Sequence, residues 1–81
     1  FYDVFMLEAE PGAGAVAGTR LGLVIGDVVG KGVAAGLMMS LVRGSLRAYA
    51  QDSVDPAHVL TRTNRAMCRD TLDNEFATVW Y

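Results

Sequence analysis

The sequence predicts an α+β fold in the order strand, strand, helix, helix, strand, and three observations carry that prediction. Two apolar, aromatic or β-branched segments near the start flank a stretch rich in glycine and proline, as two strands and their connection do. After Gly32 the apolar residues recur at three and four, the period of a helix with one dry face. Asp55-Pro56 then restarts the helical period, and the chain closes on a short run of strand formers. Strands followed by a pair of helices, rather than alternating with helices, indicate α+β and not a βαβ series.

Each element has its own local reason. Phe1 to Glu8 is aromatic and β-branched enough for a strand, and Glu10 to Thr19 carries three glycines and a proline that break regular structure, so it reads as a hairpin connection. Arg20 to Val29 is nearly continuous in apolar residues, which suits a strand covered on both faces and therefore a sandwiched sheet. Val33 to Gln51 is an amphipathic helix with apolar residues at 34, 37, 38, 41, 42, 46 and 49, and with Ser40, Arg43, Arg47 and Gln51 on the other side. Asp55 is placed to cap the second helix and Pro56 occupies a first position that needs no backbone donor. That helix runs to about Asp70, with Val59, Leu60, Thr63 and Met67 on one face and His58, Arg62, Arg65 and Arg69 on the other. Thr71 to Glu75 reads as a polar turn and Phe76 to Tyr81 as the third strand.

Composition narrows the class of function. The 81 residues are 52% hydrophobic and 20% charged, which is the make-up of a chain that buries a core and not of a disordered one. Seven basic and nine acidic residues are scattered without a basic stripe, so nucleic acid is not an expected partner. No apolar run approaches the roughly 20 residues that span a bilayer, and Asp3 interrupts an apolar start that would otherwise suggest a secretory signal. No membrane contact is expected of this segment. Cys68 has no partner for an internal disulfide, and one cysteine with one histidine cannot build a zinc site. A reducing, cytoplasmic compartment is the expectation. Strand-like residues at both ends, with no initiator Met, suggest a segment cut from a larger domain.

The chemistry is concentrated in Ile25-Gly26-Asp27-Val28-Val29-Gly30-Lys31-Gly32, between the second strand and the first helix. A carboxylate at the end of an apolar strand is costly unless a cation compensates it. Flanking glycines let the backbone come close and turn its carbonyls inward, and carboxylate with carbonyl oxygen is the donor set that Mg²⁺ or Mn²⁺ prefers. Alternatively, Asp27 caps a turn or the start of the helix, as Asp does in short loops. Two phosphate-loop patterns fit less well. The Walker pattern fails because Gly26 and Gly30 enclose three residues and Gly32 follows Lys31. Gly30-x-Gly32-x-x-Ala35 matches the relaxed dinucleotide fingerprint, but the strand that should follow the helix is replaced by a second helix.

Gly26-Asp27-Val28-Val29-Gly30-Lys31-Gly32-Val33-Ala34-Ala35, running into Leu37-Met38-Met39 and Leu41-Val42-Arg43-Gly44, resembles the Gly-Asp-Val-x-Gly-Lys/His-Gly-x-x-Ala segment of bacterial SpoIIE/RsbU-type serine/threonine phosphatases, a branch of the metal-dependent PP2C (PPM) superfamily. Phe1-Tyr2-Asp3-Val4-Phe5 resembles the end of that family's opening Gly-Gly-Asp-x-Tyr-Asp strand. Asp55-Pro56 with Leu60, Asn64 and Arg65 resembles its second helix, and Phe76-Ala77-Thr78 with Trp80-Tyr81 its next strand. The resemblance runs over the whole chain in the family's order. It implies an α-β-β-α sandwich, of which residues 1–81 are an incomplete phosphatase domain, its N-terminal part, truncated at both ends. It also implies two divalent cations, Mn²⁺ or Mg²⁺, with Asp27 as the catalytic carboxylate bridging both and the Val28 carbonyl as a ligand of one. The implied reaction is hydrolysis of phosphoserine or phosphothreonine by a hydroxide bridging the two cations, on a phosphorylated protein such as an anti-sigma-factor antagonist. An attached sensor or regulatory domain is implied as well.

The departures from the family pattern bear on activity. The Gly-Gly-Asp acid would lie one residue before Phe1, and the remaining metal-binding aspartates come from strands beyond Tyr81, so this segment alone is expected to be inactive. Val29 stands where relatives often carry Ser. A catalytically silent relative that uses the same helices for binding or sensing is the alternative from another functional class. Among the remaining residues, Lys31 reads as a solvated loop lysine, and Arg43, Arg47, Arg62, Arg65, Arg69 and His58 as solvated helix faces. Cys68 reads as a buried small hydrophobe, and Met38 and Met39 as fillers of core gaps.

Overall fold

The computed structural model describes residues 1–7, 20–71 and 74–81. Three strands, β1 (Tyr2–Leu7), β2 (Arg20–Val28) and β3 (Ala77–Trp80), and two helices, α1 (Gly32–Asp52) and α2 (Pro56–Asp70), follow one another in the expected order β1, β2, α1, α2, β3. The strands form one antiparallel sheet in the order β1-β2-β3, so β2 is central. The expected hairpin connection at 10–19 and part of the turn at 71–75 lie outside the described residues.

Register places the chemistry. Tyr2 pairs with Ile25 and Leu7 with Arg20, while Ile25 pairs with Trp80 and Asp27 with Thr78. Beyond the formal strand, Phe1 and Gly26 exchange backbone hydrogen bonds in both directions, at 2.7 and 2.9 Å. Asp27 therefore sits where β1 begins and β2 ends.

Both helices pack on the same face of the sheet. Phe5, Val24, Leu46, Ala50 and Val59 form one buried cluster, and Val28, Ala35, Met38 and Val42 form a second. Phe1 and Val79 pack against both and join them. In β2 the side facing the helices is that of Gly22, Val24, Gly26 and Val28, whereas Leu21, Leu23, Ile25 and Asp27 are exposed. The expectation of a strand covered on both faces is thus met on one only among the described residues. Its other face presents Leu21, Leu23 and Ile25 beside Tyr2, Val4, Met6 and Trp80, all of them exposed. No described helix is long and apolar enough to cross a membrane.

The sequence reading of α1 needs correction in its rotation. Its buried residues are Ala35, Met38, Val42, Leu46 and Ala50, while Leu37 and Leu41 are exposed. Apolar residues occupy more than half of the helix circumference, so periodicity gives several acceptable faces and contact with the sheet chooses one. Helix α2 begins as expected, with Ala57 N–H donating to the Asp55 carboxylate at 3.0 Å and Pro56 in the first turn. Val59, Thr63 and Ala66 are buried, while His58, Arg62, Arg65 and Arg69 face solvent. The Arg62 guanidinium lies 4.5 Å from the centre of the Tyr49 ring, which ties α2 to α1 by a cation–π contact. Met38 fills the core as expected; Cys68 does not, being exposed with its thiol donating to Asn64 Oδ1 at 3.8 Å.

Gly22 is required by close approach. A β-carbon there would lie 2.6 Å from the Phe5 ring, which is itself buried and stacked with Tyr81 at 6.3 Å between centroids. Gly26 meets the Phe1 ring at 2.5 Å in the same way, but Phe1 is only half-buried. Gly22→Ala is therefore expected to destabilise the protein by about 1–3 kcal/mol in urea unfolding, and Gly26→Ala by less.

Candidate functional site

The site grows out of the end of β2. Asp27 is the penultimate residue of that strand, and its side chain lies on the face away from the helices, level with Thr78 of β3. Ile25, Gly26, Thr78, Val79 and Trp80 surround it in a shallow depression. Val28 is buried against the helices, and Val29 N–H donates to the Phe76 carbonyl at 3.0 Å, so the backbone is held until the strand ends.

Beyond Val29 the chain turns through Gly30 and Gly32, with φ of 96° and 82°. These angles are open to glycine at little cost and strained for other residues. A β-carbon at either position would meet nothing within 4 Å, so the loop is shaped by backbone conformation and not by packing. Helix α1 starts without help from a side chain: Lys31 is its N-cap residue, no side chain caps it, and its first turn has no acid.

Asp27 caps neither the turn nor the helix, and its side chain makes no hydrogen bond or ion pair with any described residue. It is an exposed carboxylate that no described residue engages, followed by a glycine-rich loop. Oxygen donors of this type suit Mg²⁺ or Mn²⁺, and Asp27 with the neighbouring Val28 carbonyl could supply part of such a set. They do not complete it, since no three His, Cys, Asp or Glu among the described residues come together as a metal-binding group. Lys31 is exposed, as expected of a loop lysine.

The structure also joins residues that patterning did not connect. Asp3 is buried, and Arg43 and Arg47, expected on a solvated face, both turn toward it. Arg47 grips it with a fork, Nε donating to Oδ2 at 2.5 Å and Nη2 to Oδ1 at 2.8 Å. Arg43 Nε lies 3.2 Å from Oδ2, and the Val4 N–H donates to Oδ1 at 3.0 Å. Arg47 also lies over the Phe5 ring, 5.1 Å from its centre. Hydrogen bonding from Arg47, reinforced by Arg43 and the charges of both, holds the Asp3 carboxyl well below the usual carboxylate range against an opposing contribution from desolvation. The available signal was Asp3 itself, an acid in an otherwise apolar strand, together with two arginines one helical turn apart.

A protein-family model described as Stage II sporulation protein E (SpoIIE) matches residues 17–81. No curated protein and no solved structure matches the chain.

Two outcomes follow from these placements. Asp27→Asn is expected to leave thermal stability within about 0.5 kcal/mol of the parent, because the carboxylate engages no described residue; a large loss in a melting experiment would restore the capping role. For Asp3 the sign is that of a lowered folded-state pKa: its stabilising contribution is present above the unfolded value, near 4, and is lost as pH falls below it. Asp3→Asn should therefore flatten that part of the acid limb in urea titrations at stepped pH.

Proposed function

The chain belongs to the SpoIIE family of PP2C-type phosphatases, and from that premise we propose that it is part of a metal-dependent protein serine/threonine phosphatase in which Asp27 is the metal-bridging catalytic carboxylate. One observation carries the reading: the Asp27 side chain has no hydrogen-bond or ionic partner among the described residues and projects near the end of a strand that runs into the Gly30–Gly32 loop. An acid kept in that state is available to a cation.

The strand register supports it. The family resemblance puts a further metal-binding acid one residue before Phe1. Tyr2 pairs with Ile25, so extending the register puts that position opposite Asp27, on the same face of the sheet. Directly opposed residues in an antiparallel pair have their β-carbons about 5 Å apart, close enough for two carboxylates to share cations. Bound divalent cations would acidify water and neutralise the charge of a phosphate. Asp27 would hold them, with the Val28 carbonyl as a further ligand, and the uncapped first turn of α1 would present N–H groups that favour an anion. Mn²⁺ or Mg²⁺ is the proposed cofactor because the donors are oxygens.

The uncovered face of the sheet fits the second sheet of an α-β-β-α sandwich, so residues 1–81 are read as the N-terminal part of such a domain. The proposed substrate is a phosphorylated regulatory protein of the anti-sigma-factor-antagonist type, acted on in the cytoplasm under control of an attached sensor domain. The competing reading, a catalytically silent binding or sensing module, draws on the lack of a ligand cluster among the described residues.

One assay separates the two. In the protein that carries this segment with its flanking sequence, Mn²⁺-dependent hydrolysis of a model phosphate ester is expected, with a loss of about a hundred- to a thousandfold in kcat for Asp27→Ala or Asp27→Asn, the scale expected when an electrostatic stabiliser of a transition state is removed. Full activity in either variant would sink the assignment.

A further inference from the structure

We propose that Asp3, acting through Arg47 and Arg43, is a positioning residue for the Asp27–Gly32 loop: it fixes where α1 lies along the sheet, and so where that loop ends. The inference rests on the phosphatase reading for the purpose of the loop, not for the coupling.

The loop cannot hold its own shape. Val29, Gly30, Lys31 and Gly32 are exposed, a β-carbon at Gly30 or Gly32 would touch nothing, and no side chain caps the helix that follows. Its conformation is therefore set by its two ends. The β2 end is held by hydrogen bonds to β1 and β3. The other end is the start of α1, which goes wherever the rest of α1 goes.

Apolar packing gives α1 a face but a weak axial position. Its buried residues, Ala35, Met38, Val42, Leu46 and Ala50, are spaced by three or four throughout, so a shift of one turn presents a similar seam to the sheet. Burying a charged group can supply the missing register, because its partner must be in one place. Asp3 is the only charged residue buried among the described residues, and it is fixed on β1 opposite Val24. Two arginines one turn apart make the choice unique. Moving α1 by a turn in one direction would bring Met39 and Arg43 to the positions of Arg43 and Arg47, and in the other direction Arg47 and Gln51, so Asp3 would keep only one guanidinium. From Arg43 or Arg47 to Gly32 there are about 16 to 22 Å of helix at about 1.5 Å per residue, a stiff arm from the clamp to the loop.

The test compares Asp3→Asn and the milder Arg43→Gln with the parent, in the protein that carries this segment. Amide hydrogen exchange over residues 29–36 is read against α2, and Mn²⁺ affinity is titrated on folded protein. Exchange at 29–36 is expected to rise at least tenfold in Asp3→Asn and about threefold in Arg43→Gln, with α2 unchanged and Mn²⁺ binding about tenfold weaker in Asp3→Asn. If both variants only lower the melting temperature, with exchange at 29–36 rising no more than in α2, Asp3 is a stability residue and the proposal is overturned; should Asp3→Asn not fold, Arg43→Gln decides. If the parent neither binds Mn²⁺ nor hydrolyses a phosphate ester while loop exchange still responds, the phosphatase reading fails and the coupling stands.

Discussion

A single buried carboxylate organises the helical side of the sheet. Asp3 lies in an otherwise apolar strand, and a charge removed from water there must be met by opposite charge and hydrogen bonds. Arg47 meets it with both arms of its fork, and in doing so lies across Phe5. Phe5 in turn stacks on Tyr81 and closes over Gly22, where no β-carbon fits. One ionic requirement thus joins β1, β2, α1 and the residue after β3 through a continuous set of contacts.

That arrangement divides the molecule by function. The helices occupy one face of the sheet and use its apolar residues for stability. Asp27 emerges on the opposite face, near the strand ends, where nothing among the described residues engages it. Under the proposed function this separation matters, since a side chain committed to a cap or an ion pair is not available to a ligand. The loop behind it is made of glycines with positive φ and little packing, which lets it follow the position of its anchors.

Much of this was legible in the sequence where the signal is local. The switch from strand to helix at Gly32, the Asp55-Pro56 start of α2 and the basic outer stripe of that helix all depend on neighbours within a few residues, and they appear where expected. The face of α1 did not follow, because its apolar residues surround too much of the helix for periodicity to choose. The pairing of Arg43 and Arg47 escaped the sequence for a similar reason: both keep solvent access, but the carboxylate they grip is some 40 residues away in sequence. Cys68 read as buried because cysteine usually is, yet its position on α2 leaves it at the surface.

At the site, residue types and spacing singled out Asp27 and left capping and metal binding both open, while the Val28 carbonyl came from the family resemblance. Which groups stand near Asp27 is a matter of distance, and distance comes from the sheet register and the path of α1. Sequence alone therefore determined the order of the elements, the glycine-rich loop and the family to which the chain belongs, all of them consequences of short-range pattern. Tertiary structure decided which face of α1 is dry, that Asp3 draws in two arginines and that no described residue engages the Asp27 side chain, because each depends on which distant groups the fold brings within hydrogen-bonding reach.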